Sequence, residues 1–568
     1  MTELNSPDSR HTSRAAQIGW GILICATLSV CYFSHLGTIG FVGPDEPRYA
    51  WIARDMMETG DWVTPRLYGR PWFEKPPLLY WGAALSFKLF GVSEAAARLP
   101  SAICALLATL ALAWLALRLY GAETARWLLL LLPTTAGMIG FSHAAATDMP
   151  FSGMLTIAMV CAAVVFGLTR NENTPILPRT LWLALVLFGF FLGLAVLAKG
   201  PAAIVLCGGA VFFWALFTKR WRDALRLLHP ASIASFCLTA LPWYILCAQR
   251  NPDFFRVFII EHNVKRYLTP EFQHIQPFWF YGSVLLVAFL PWTALFLWSA
   301  VHGAIHLWRT RCAKEHTWFL VCWAGFCVIF FSISQSKLPG YVLPAIAPLT
   351  LSLSHFIWSS RYTAKGALIA GLVVTATGLG TTGVLLSHSF IHLAPKYDSL
   401  SQFVALVLYT IGLSTFLLGL SFLSRLSSPA RNALLASCVA VLLVLVGSAK
   451  ILLTRWNLDS ISTDWLADAL RQDSVSLHQL RVFRIPRSFH YGLNFYLHRE
   501  IPDWETDRVA DGYVLSDGSY CDRLATEQEC HDLWGMRDFS SGSWALLRVT
   551  PDLSVQRSRS GEHVQKKE

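Results

Sequence analysis

Residues 180–198 read TLWLALVLFGFFLGLAVLA, a run without a charged side chain that lies between Arg179 and Lys199. A helix needs about 20 mainly apolar residues to cross a bilayer, so this run predicts a membrane span. Of the 568 residues of the chain, 54% are hydrophobic and only 14% are charged. A soluble protein has about 25% charged residues. This composition excludes a soluble enzyme, a disordered chain and a disulfide-stapled mini-protein.

Thirteen runs share this length and apolar character. They lie near residues 17–36, 98–117, 126–142, 149–169, 180–198, 201–218, 232–248, 279–307, 316–334, 341–358, 366–388, 402–424 and 434–454. The first run follows a polar tail and has no clear small-residue cleavage site. We therefore expect a retained helix there and not a signal peptide.

Lys and Arg in the short loops predict the orientation of the spans, because cytoplasmic loops are enriched in them. With the N-terminus inside, every predicted inner loop is basic. The residues concerned are Arg118, Arg126, Arg170, Arg179, Lys219, Arg220, Arg222, Arg226, Arg309, Arg311, Lys314, Arg361, Lys365, Arg425 and Arg431. We therefore expect a cytoplasmic N-terminus and, after an odd number of spans, a C-terminus on the external face.

The composition changes near Asn457, which divides the chain into a membrane domain, residues 1–456, and a soluble external domain, residues 457–568. The external part carries 18 acids and 13 bases, so its net charge is −5, whereas the membrane part is +15 and the whole chain is +10. Ser462 and Thr463 predict a helix start. Residues 480–485 and 544–549 predict strands, and together these elements predict an α/β fold.

The cysteines agree with this division. Eleven of the thirteen lie in or beside the apolar runs, and only Cys521 and Cys530 lie in the external domain. A disulfide between these two suits an oxidising compartment, and two free thiols fit the spacing equally well. The chain has no zinc-binding spacing, P-loop or dinucleotide fingerprint, so we expect no nucleotide. Because the positive charge is accounted for by inner and external loops, we expect no nucleic acid either.

The predicted external loops hold acids, bases and aromatic residues in dense clusters. The first, residues 37–97, is too long for a simple connector, and its segments 47–58 and 77–90 are expected to form amphipathic helices at the interface. Its motifs are PDEPRYA (44–50), TGDWVTP (59–65) and FEKPPLLYW (73–81). Later loops contribute TDMP (147–150), AKGP (198–201), EHNVKRY (261–267), QPFWFY (276–281) and SKLPGYVL (336–343).

This pattern suits a lipid phosphate that presents its headgroup at the interface. Arg and Lys hold phosphate through charge-assisted hydrogen bonds. A carboxylate near an anomeric carbon stabilises positive charge in a glycosyl-transfer transition state. Single residues also have structural interpretations. Asp45 and Glu46 can cap the helix that begins at Pro47, and Asp148 can cap the next apolar span. Lys199 and Lys337 can snorkel at the boundary. The combination of these residues on one face favours a site.

Taken together, the motifs resemble the aminoarabinose lipid A transferases (ArnT) of the GT-C superfamily, which are polyprenyl-phosphate-dependent membrane glycosyltransferases. The resemblance covers about residues 40–350. It implies a mainly α, polytopic GT-C-like fold. This agrees with the about 13 transmembrane helices and the small C-terminal α/β domain that the residues predict, and it makes that domain periplasmic. It also implies that 4-amino-4-deoxy-L-arabinose passes from undecaprenyl phosphate to a phosphate of lipid A at the periplasmic face of the bacterial inner membrane. The family is associated with polymyxin and cationic antimicrobial peptide resistance, because the added amine reduces negative surface charge.

The resemblance also implies roles for single residues. Asp45 matches the first-loop acid and is expected to be the catalytic carboxylate, while Asp148 matches the second-loop acid and is expected to position the sugar or its amine. The residues expected at the donor phosphate are Arg48, Tyr49, Lys75, Lys199, Arg266, Lys337 and Tyr341. Direct attack by the acceptor phosphate would invert the anomeric configuration. Some members use a divalent metal beside the first acid, and Glu74 and His262 are the candidate ligands here.

Other functions remain open at this point. A related transferase would move another sugar, such as a hexosamine or mannose, or would use a protein acceptor. A lipid flippase or transporter would place ionisable groups near the midplane, on broken helices in repeated halves. The charges here gather instead at span ends on one face. A scaffold role for the external domain alone leaves the loop charges unexplained.

Overall fold

The computed structural model describes residues 14–169, 177–269, 275–310, 314–359, 462–472, 475–509, 511–517, 530–535 and 544–549. This part of the chain is mainly helical, with a small α/β domain near the C-terminus. The spans predicted near 366–388, 402–424 and 434–454 lie outside the described residues, as does Cys521 of the predicted disulfide. The division of the chain at Asn457 also falls outside them and stays a prediction.

Helices of the first half come in chain order as α1 (Arg14–Tyr32), α2 (Asp45–Thr59), α3 (Leu78–Phe90), α4 (Glu94–Tyr120), α5 (Ala122–Leu131), α6 (Ala136–Ser142), α7 (Asp148–Val165), α8 (Pro178–Lys199), α9 (Ala202–Thr218), α10 (Trp221–Leu225) and α11 (Pro230–Arg250). Strands β1 (Arg66–Leu67) and β2 (Arg70–Pro71) form a small antiparallel hairpin between α2 and α3. A 3₁₀ turn, Arg226–Leu228, precedes α11.

A π-helix, Arg256–Lys265, opens the next segment. It is followed by α12 (Arg266–Leu268), α13 (Phe280–Ala288), α14 (Thr293–Thr310), α15 (Glu315–Ile333), a 3₁₀ turn (Pro339–Val342) and α16 (Leu343–Ser359). The helices predicted over 47–58 and 77–90 are therefore confirmed as α2 and α3. Their position at a membrane interface stays a prediction.

Six helices in the described residues are long and apolar enough to cross a membrane, or seven if α5 and α6, which meet at 62°, form one broken span. Helices α1 and α9 are apolar but shorter. The run predicted near 279–307 is not one helix but two, α13 and α14, separated by residues 289–292. Pro291 lies in this break, and its missing N–H and its ring interrupt a helical ladder.

Helix α7 lies at the centre of the bundle. Almost all of it is buried, and it packs against α4, α8 and α16. Its approach to α4 is close, since a Cβ on Gly153 would lie 2.9 Å from the carbonyl oxygen of Cys104. Small residues at such crossings let helix backbones meet in membrane proteins. The packing fixes the position of Asp148, the first residue of α7.

The two ends of α7 differ in charge. Asp148 lies at the end where the predicted external loops gather, and Arg220 donates to the carbonyl of Phe166 at the other end, 2.8 Å away. Arg220 also pairs with Glu315, where α15 begins. Because the 18 residues of α7 rise about 27 Å, the basic connection and the acidic loops are far apart. The orientation of these ends relative to a membrane stays a prediction.

The C-terminal part forms a small α/β domain. Its elements are α17 (Asp464–Gln472), β3 (Leu480–Phe483), α18 (Arg487–Leu497), β4 (Gly512–Asp517), β5 (Cys530–Gly535) and β6 (Trp544–Val549). The sheet order is β3-β4-β6-β5, with β3 and β4 parallel and the other pairs antiparallel. The predicted helix start after Thr463 and both predicted strands are confirmed.

This domain docks on the first loop through α18. The ring of Phe495 meets that of Phe41 edge-on at 4.8 Å between centroids. The hydroxyl of Tyr496 donates to Glu94 Oε1 and accepts from the backbone N–H of Phe41, each at 2.8 Å. The first loop is therefore held between the membrane helices and the C-terminal domain.

Candidate active site

Glu74 is the centre of a charged cluster built from three segments of the chain. Its carboxylate lies 3.2 Å from Nη1 of Arg48 on α2, 3.3 Å from Nζ of Lys75 and 3.4 Å from Nη1 of Arg266 on α12. Its side chain is only 10% exposed. Burial alone raises the pKa of Glu74, but the attraction of Lys75, Arg48 and Arg266 outweighs it and holds this pKa well below its ordinary value. Glu74 is therefore ionised at neutral pH.

Arg48 joins this cluster to Asp45, one turn earlier on α2. Its Nε donates to the carbonyl of Pro44 at 2.9 Å, and its other terminal nitrogen pairs with the carboxylate of Asp45. Asp45 is about half exposed, at 49%. The predicted catalytic carboxylate, Asp45, therefore faces solvent at the edge of the cluster and is paired with the guanidinium of Arg48.

Asp148 and Lys199 form a second ion pair, 2.5 Å apart. Nζ of Lys199 also lies 4.3 Å from the ring centroid of Tyr341, a cation–π distance. The turn that carries Tyr341 comes so close that a Cβ on Gly340 would lie 2.3 Å from Asp148 Oδ1. Only glycine fits there, so the packing fixes the loop of Tyr341 against Asp148.

A cavity of about 310 Å³ joins these groups. Three cations, Lys75, Lys199 and Arg266, line it together with Glu74 and His262. Its apolar and aromatic wall consists of Pro201, Ala202, Val205, Val264, Tyr267, Leu268, Phe330, Phe331 and Tyr341. Burial lowers the pKa of Lys75 from its ordinary value, which Glu74 partly offsets. The cavity can hold an anion at one end and a hydrocarbon chain along its wall.

A second cavity of about 530 Å³ shares Glu74 and His262 with the first. Arg250, Arg256 and Trp72 belong to its lining. Each arginine also has an acidic partner. Arg250 lies 3.0 Å from Asp61, and Arg256 lies 3.1 Å from Asp253 and 2.6 Å from Glu261. Glu74 and His262 border both cavities, so a ligand in either cavity can approach them.

Most of the predicted site residues meet in this region. Arg48, Lys75, Lys199, Arg266 and Tyr341 are connected as described, and Tyr49 is buried, with its ring 5.7 Å from that of Tyr80 on α3. Asp45 and Asp148 do not line the cavity. Asp45 pairs with Arg48, and Asp148 pairs with Lys199. Lys337 is separate: it is buried, and its Nζ donates to the carbonyl of Ser334 at 2.6 Å. This hydrogen bond fixes the loop that carries Lys337, and the charge of Lys337 is directed to the backbone.

Glu74 and His262 do not form a convincing metal site. They line the same two cavities, but zinc in proteins takes three or four protein ligands. Within the described part of the chain, no group of three or more His, Cys, Asp or Glu residues is arranged to hold an ion. The Glu74 carboxylate is also surrounded by three cations, which repel a metal ion. The metal stays a sequence prediction that this geometry does not favour.

The sequence analysis missed Arg98, a buried arginine at the start of α4. Its guanidinium makes two hydrogen bonds to Glu46, at 2.7 and 2.9 Å, and donates to the carbonyls of Leu36, Ile39 and Gly40 at 2.7–3.0 Å. These bonds fix the entrance to α2, directly before Asp45. The sequence does contain a signal for this pair, because Arg98 lies at the edge of an apolar run. A cation that is buried there needs an acidic partner.

Glu46, in turn, is held by more than Arg98. It accepts hydrogen bonds from the backbone N–H groups of Val42 and Ala145, at 2.8 and 2.7 Å. Ala145 belongs to the connection between α6 and α7, which leads to Asp148. The Glu46 carboxylate therefore ties together the two loops that carry the predicted acids. It is not the simple helix cap that its position suggested.

Comparisons with known proteins agree with this architecture. A family model described as dolichyl-phosphate-mannose-protein mannosyltransferase matches residues 21–258. Proteins named undecaprenyl phosphate-alpha-4-amino-4-deoxy-L-arabinose arabinosyl transferase are similar over part of the chain. One, from Edwardsiella ictaluri, is 32% identical over 347 residues, which is 60% of each protein. Another, from Aeromonas salmonicida, is 34% identical over 316 residues, which is 55% of each. The chain thus matches 60% or less of the length of these curated relatives.

Among solved structures, the chain is similar to ArnT from Cupriavidus metallidurans bound to undecaprenyl phosphate, with a TM-score of 0.75 and 22% identity. The likeness covers 94% of this chain and 99% of that one. The apo state of the same protein gives a TM-score of 0.74. At this identity the likeness shows the fold. The chain is therefore a multi-pass membrane protein with the expected GT-C-like architecture.

Proposed function

We propose, on the premise that the chain belongs to the ArnT-type glycosyltransferases of the GT-C superfamily, that it transfers 4-amino-4-deoxy-L-arabinose from undecaprenyl phosphate to a phosphate of lipid A. The observation that carries this proposal is the first cavity. It combines Lys75, Lys199 and Arg266 with a wall of aromatic and apolar side chains. A polyprenyl phosphate has a charged head on a hydrocarbon chain and matches both features.

The proposed reaction needs no strong general base. An oxygen of the acceptor phosphate attacks the anomeric carbon and forms the new C–O bond. The bond from that carbon to the carrier oxygen breaks, and its electron pair leaves with undecaprenyl phosphate. Lys75, Arg266 and Lys199 stabilise the negative charge that develops on the leaving phosphate. Because the attack displaces the carrier directly, the product has inverted configuration.

The carboxylates have separate tasks in this proposal. Asp45 stabilises the positive charge that develops on the sugar ring in the transition state. Asp148 orients the sugar or accepts a hydrogen bond from its 4-amino group. Glu74 keeps Arg48, Lys75 and Arg266 together when no phosphate is bound. The acceptor reaches the junction at Glu74 and His262 through the second cavity, where Arg250 and Arg256 bind its phosphate.

The reaction is proposed to occur at the periplasmic face of the bacterial inner membrane. Support comes from the alternation of helix ends, which puts the candidate site opposite the basic connection of Arg220. Cytoplasmic loops are the ones enriched in Lys and Arg, so the N-terminus is cytoplasmic and the C-terminal domain periplasmic. Transfer of an aminosugar there lowers the negative charge of lipid A, and the expected phenotype is resistance to polymyxin.

The test is transfer by purified protein in nanodiscs. The protein, undecaprenyl-phosphate-linked aminoarabinose and lipid A are combined, and the products are analysed by mass spectrometry. A lipid A that gains one aminopentose supports the proposal, and Asp45→Asn should abolish this gain while the protein elutes as a folded monodisperse species. Lipid A that stays unmodified with this donor, but is modified with a hexosamine or mannose donor, refutes the choice of sugar. Full activity of Asp45→Asn removes Asp45 as the catalytic group.

A further inference from the structure

Among the described residues of the C-terminal domain, Tyr491 of α18 reaches the candidate active site. Its ring centroid lies 5.2 Å from Cζ of Arg48. Two rings of the first loop also surround this guanidinium, with centroids at 5.6 Å for Trp72 and 5.9 Å for Tyr49. Arg48 thus has carboxylates at its nitrogens and aromatic rings around its carbon. One of these rings belongs to a domain more than 400 residues away in sequence.

The interface that holds Tyr491 has specific contacts along its length. Nε2 of His498 lies 3.1 Å from Glu58 at the end of α2, and Glu500 pairs with Arg70 of the hairpin at 2.9 Å. At the entrance to α2, a Cβ on Gly40 would lie 1.9 Å from Ser462 Oγ, so the two backbones approach without room for a side chain. Contacts on several sides therefore fix α18 against the first loop.

Arg48 needs such a support because its hydrogen bonds fix only the edge of its guanidinium. The carbonyl of Pro44 and the carboxylates of Asp45 and Glu74 take up its donors. Nearby rings attract the guanidinium through their quadrupoles and keep water away from it, which strengthens the ion pairs at the edge. If the ring of Tyr491 is removed, Arg48 loses one of the contacts that fix its plane between Asp45 and Glu74.

We propose that Tyr491 is a positioning residue for the transfer reaction: the C-terminal domain completes the active site by holding Arg48 in place between Asp45 and Glu74. The inference deepens the proposed function and rests on it. It assigns a role to a domain for which the sequence suggested none. It also makes the first loop and the C-terminal domain one functional unit.

The test compares three single variants under steady-state conditions in nanodiscs. Tyr491→Leu removes the ring and should lower kcat about tenfold, with a KM for the donor changed by less than about twofold. Tyr491→Phe keeps the ring and should retain activity within about twofold. Phe489→Leu is the matched control, because Phe489 lies on the same helix and packs against the core of its own domain. It should retain activity within about twofold.

A double-mutant cycle shows whether Tyr491 acts through Arg48. In an Arg48→Gln background the guanidinium is absent, so Tyr491→Leu should change kcat/KM by less than about twofold. A tenfold effect in that background as well would overturn the proposal, as would full activity of Tyr491→Leu or a tenfold loss in Tyr491→Phe. If Tyr491→Leu does not fold, Tyr491→Met fills the same space with a flexible chain and is judged by the same criteria.

The cycle separates this inference from the proposed function. If the unaltered protein does not transfer aminoarabinose in the nanodisc assay, the function itself fails. The cycle is then measured with whichever polyprenyl-linked sugar the protein does transfer, and the same criteria apply. If the unaltered protein is active and Tyr491→Leu is equally active, the function stands and the role of Tyr491 is refuted.

Discussion

Replacement of Arg98 by methionine should destabilise the protein more than any exchange of a surface arginine. Arg98 is 4% exposed and donates five hydrogen bonds, two to Glu46 and three to backbone carbonyls. Methionine fills much of the volume but leaves the buried Glu46 carboxylate without a counter-charge. Breaking a buried ion pair in this way costs roughly 3–5 kcal/mol of unfolding free energy.

The size of this effect depends on Glu46, which makes it testable by a second substitution. Glu46→Gln in the Arg98→Met background removes the uncompensated charge. The N–H groups of Val42 and Ala145 bond to different oxygens of Glu46, so the single amide oxygen of Gln keeps one of these two hydrogen bonds. The double variant should therefore lose less stability than the sum of the two single variants, with a coupling of at least about 2 kcal/mol. The matched control is Arg54→Met on α2, whose partner Glu58 is at the surface, and it should cost less than about 1 kcal/mol.

Unfolding can be followed by tryptophan fluorescence as the protein, in maltoside micelles, is titrated with sodium dodecyl sulfate. The four proteins of the cycle are measured together with Arg54→Met. The reasoning is refuted if the effects of Arg98→Met and Glu46→Gln add within about 0.5 kcal/mol, because independent sites behave in that way. It is equally refuted if Arg98→Met costs no more than Arg54→Met. Transfer should also fall in Arg98→Met, since Glu46 fixes the backbone directly after Asp45.

Three further outcomes are expected. Burial lowers the pKa of Lys75, so the folded protein binds fewer protons than the unfolded chain as the pH rises towards the ordinary lysine pKa. The free energy of unfolding should therefore rise with pH in this range, while transfer falls. Lys75→Arg should move the alkaline limb of the kcat/KM profile to higher pH. An unmoved limb would assign it to another group. Asp148→Asn should abolish transfer and leave elution from a sizing column unchanged, and retained transfer would exclude Asp148 from the reaction. Arg256→Gln should raise the KM for lipid A about tenfold, with the donor KM unchanged, whereas Arg471→Gln, similarly exposed and also paired at i,i−3, should change neither; equal effects would place the acceptor elsewhere.

Local patterns in the sequence were sufficient for most of the helices. The boundaries of α2, α7 and α8 follow from the change between apolar and polar residues and from the Pro, Gly and Asp residues at their ends. The prediction of one continuous helix near 279–307 was wrong because hydropathy alone does not detect the interruption at Pro291. The hydrophobic content of that segment is high on both sides of the break, so its average is that of a single span.

The site was predictable only in part. The alternation of inner and external loops along the sequence predicted that Glu74, Asp148, Lys199 and Arg266 lie on one face. The structure connects them as two ion-paired groups. This alternation does not predict which side chains form ion pairs. A helix cap by Glu46 could therefore not be distinguished from its buried ion pair with Arg98. The contact of Tyr491 with Arg48 was equally inaccessible, because the docking of the C-terminal domain depends on surface complementarity between segments that are far apart in sequence.

The pairing of charges in the site has a consequence for substrate binding. Lys199 is paired with Asp148, and Lys75 and Arg266 share Glu74, so a phosphate that enters the cavity must compete with carboxylates for its cations. In the proposed reaction, a donor phosphate that draws Lys199 away would release Asp148 to accept a hydrogen bond from the sugar. Binding of the phosphate would then prepare Asp148 for the sugar. This exchange lets the site remain ionised and nearly neutral while empty, since isolated buried charges of one sign are costly.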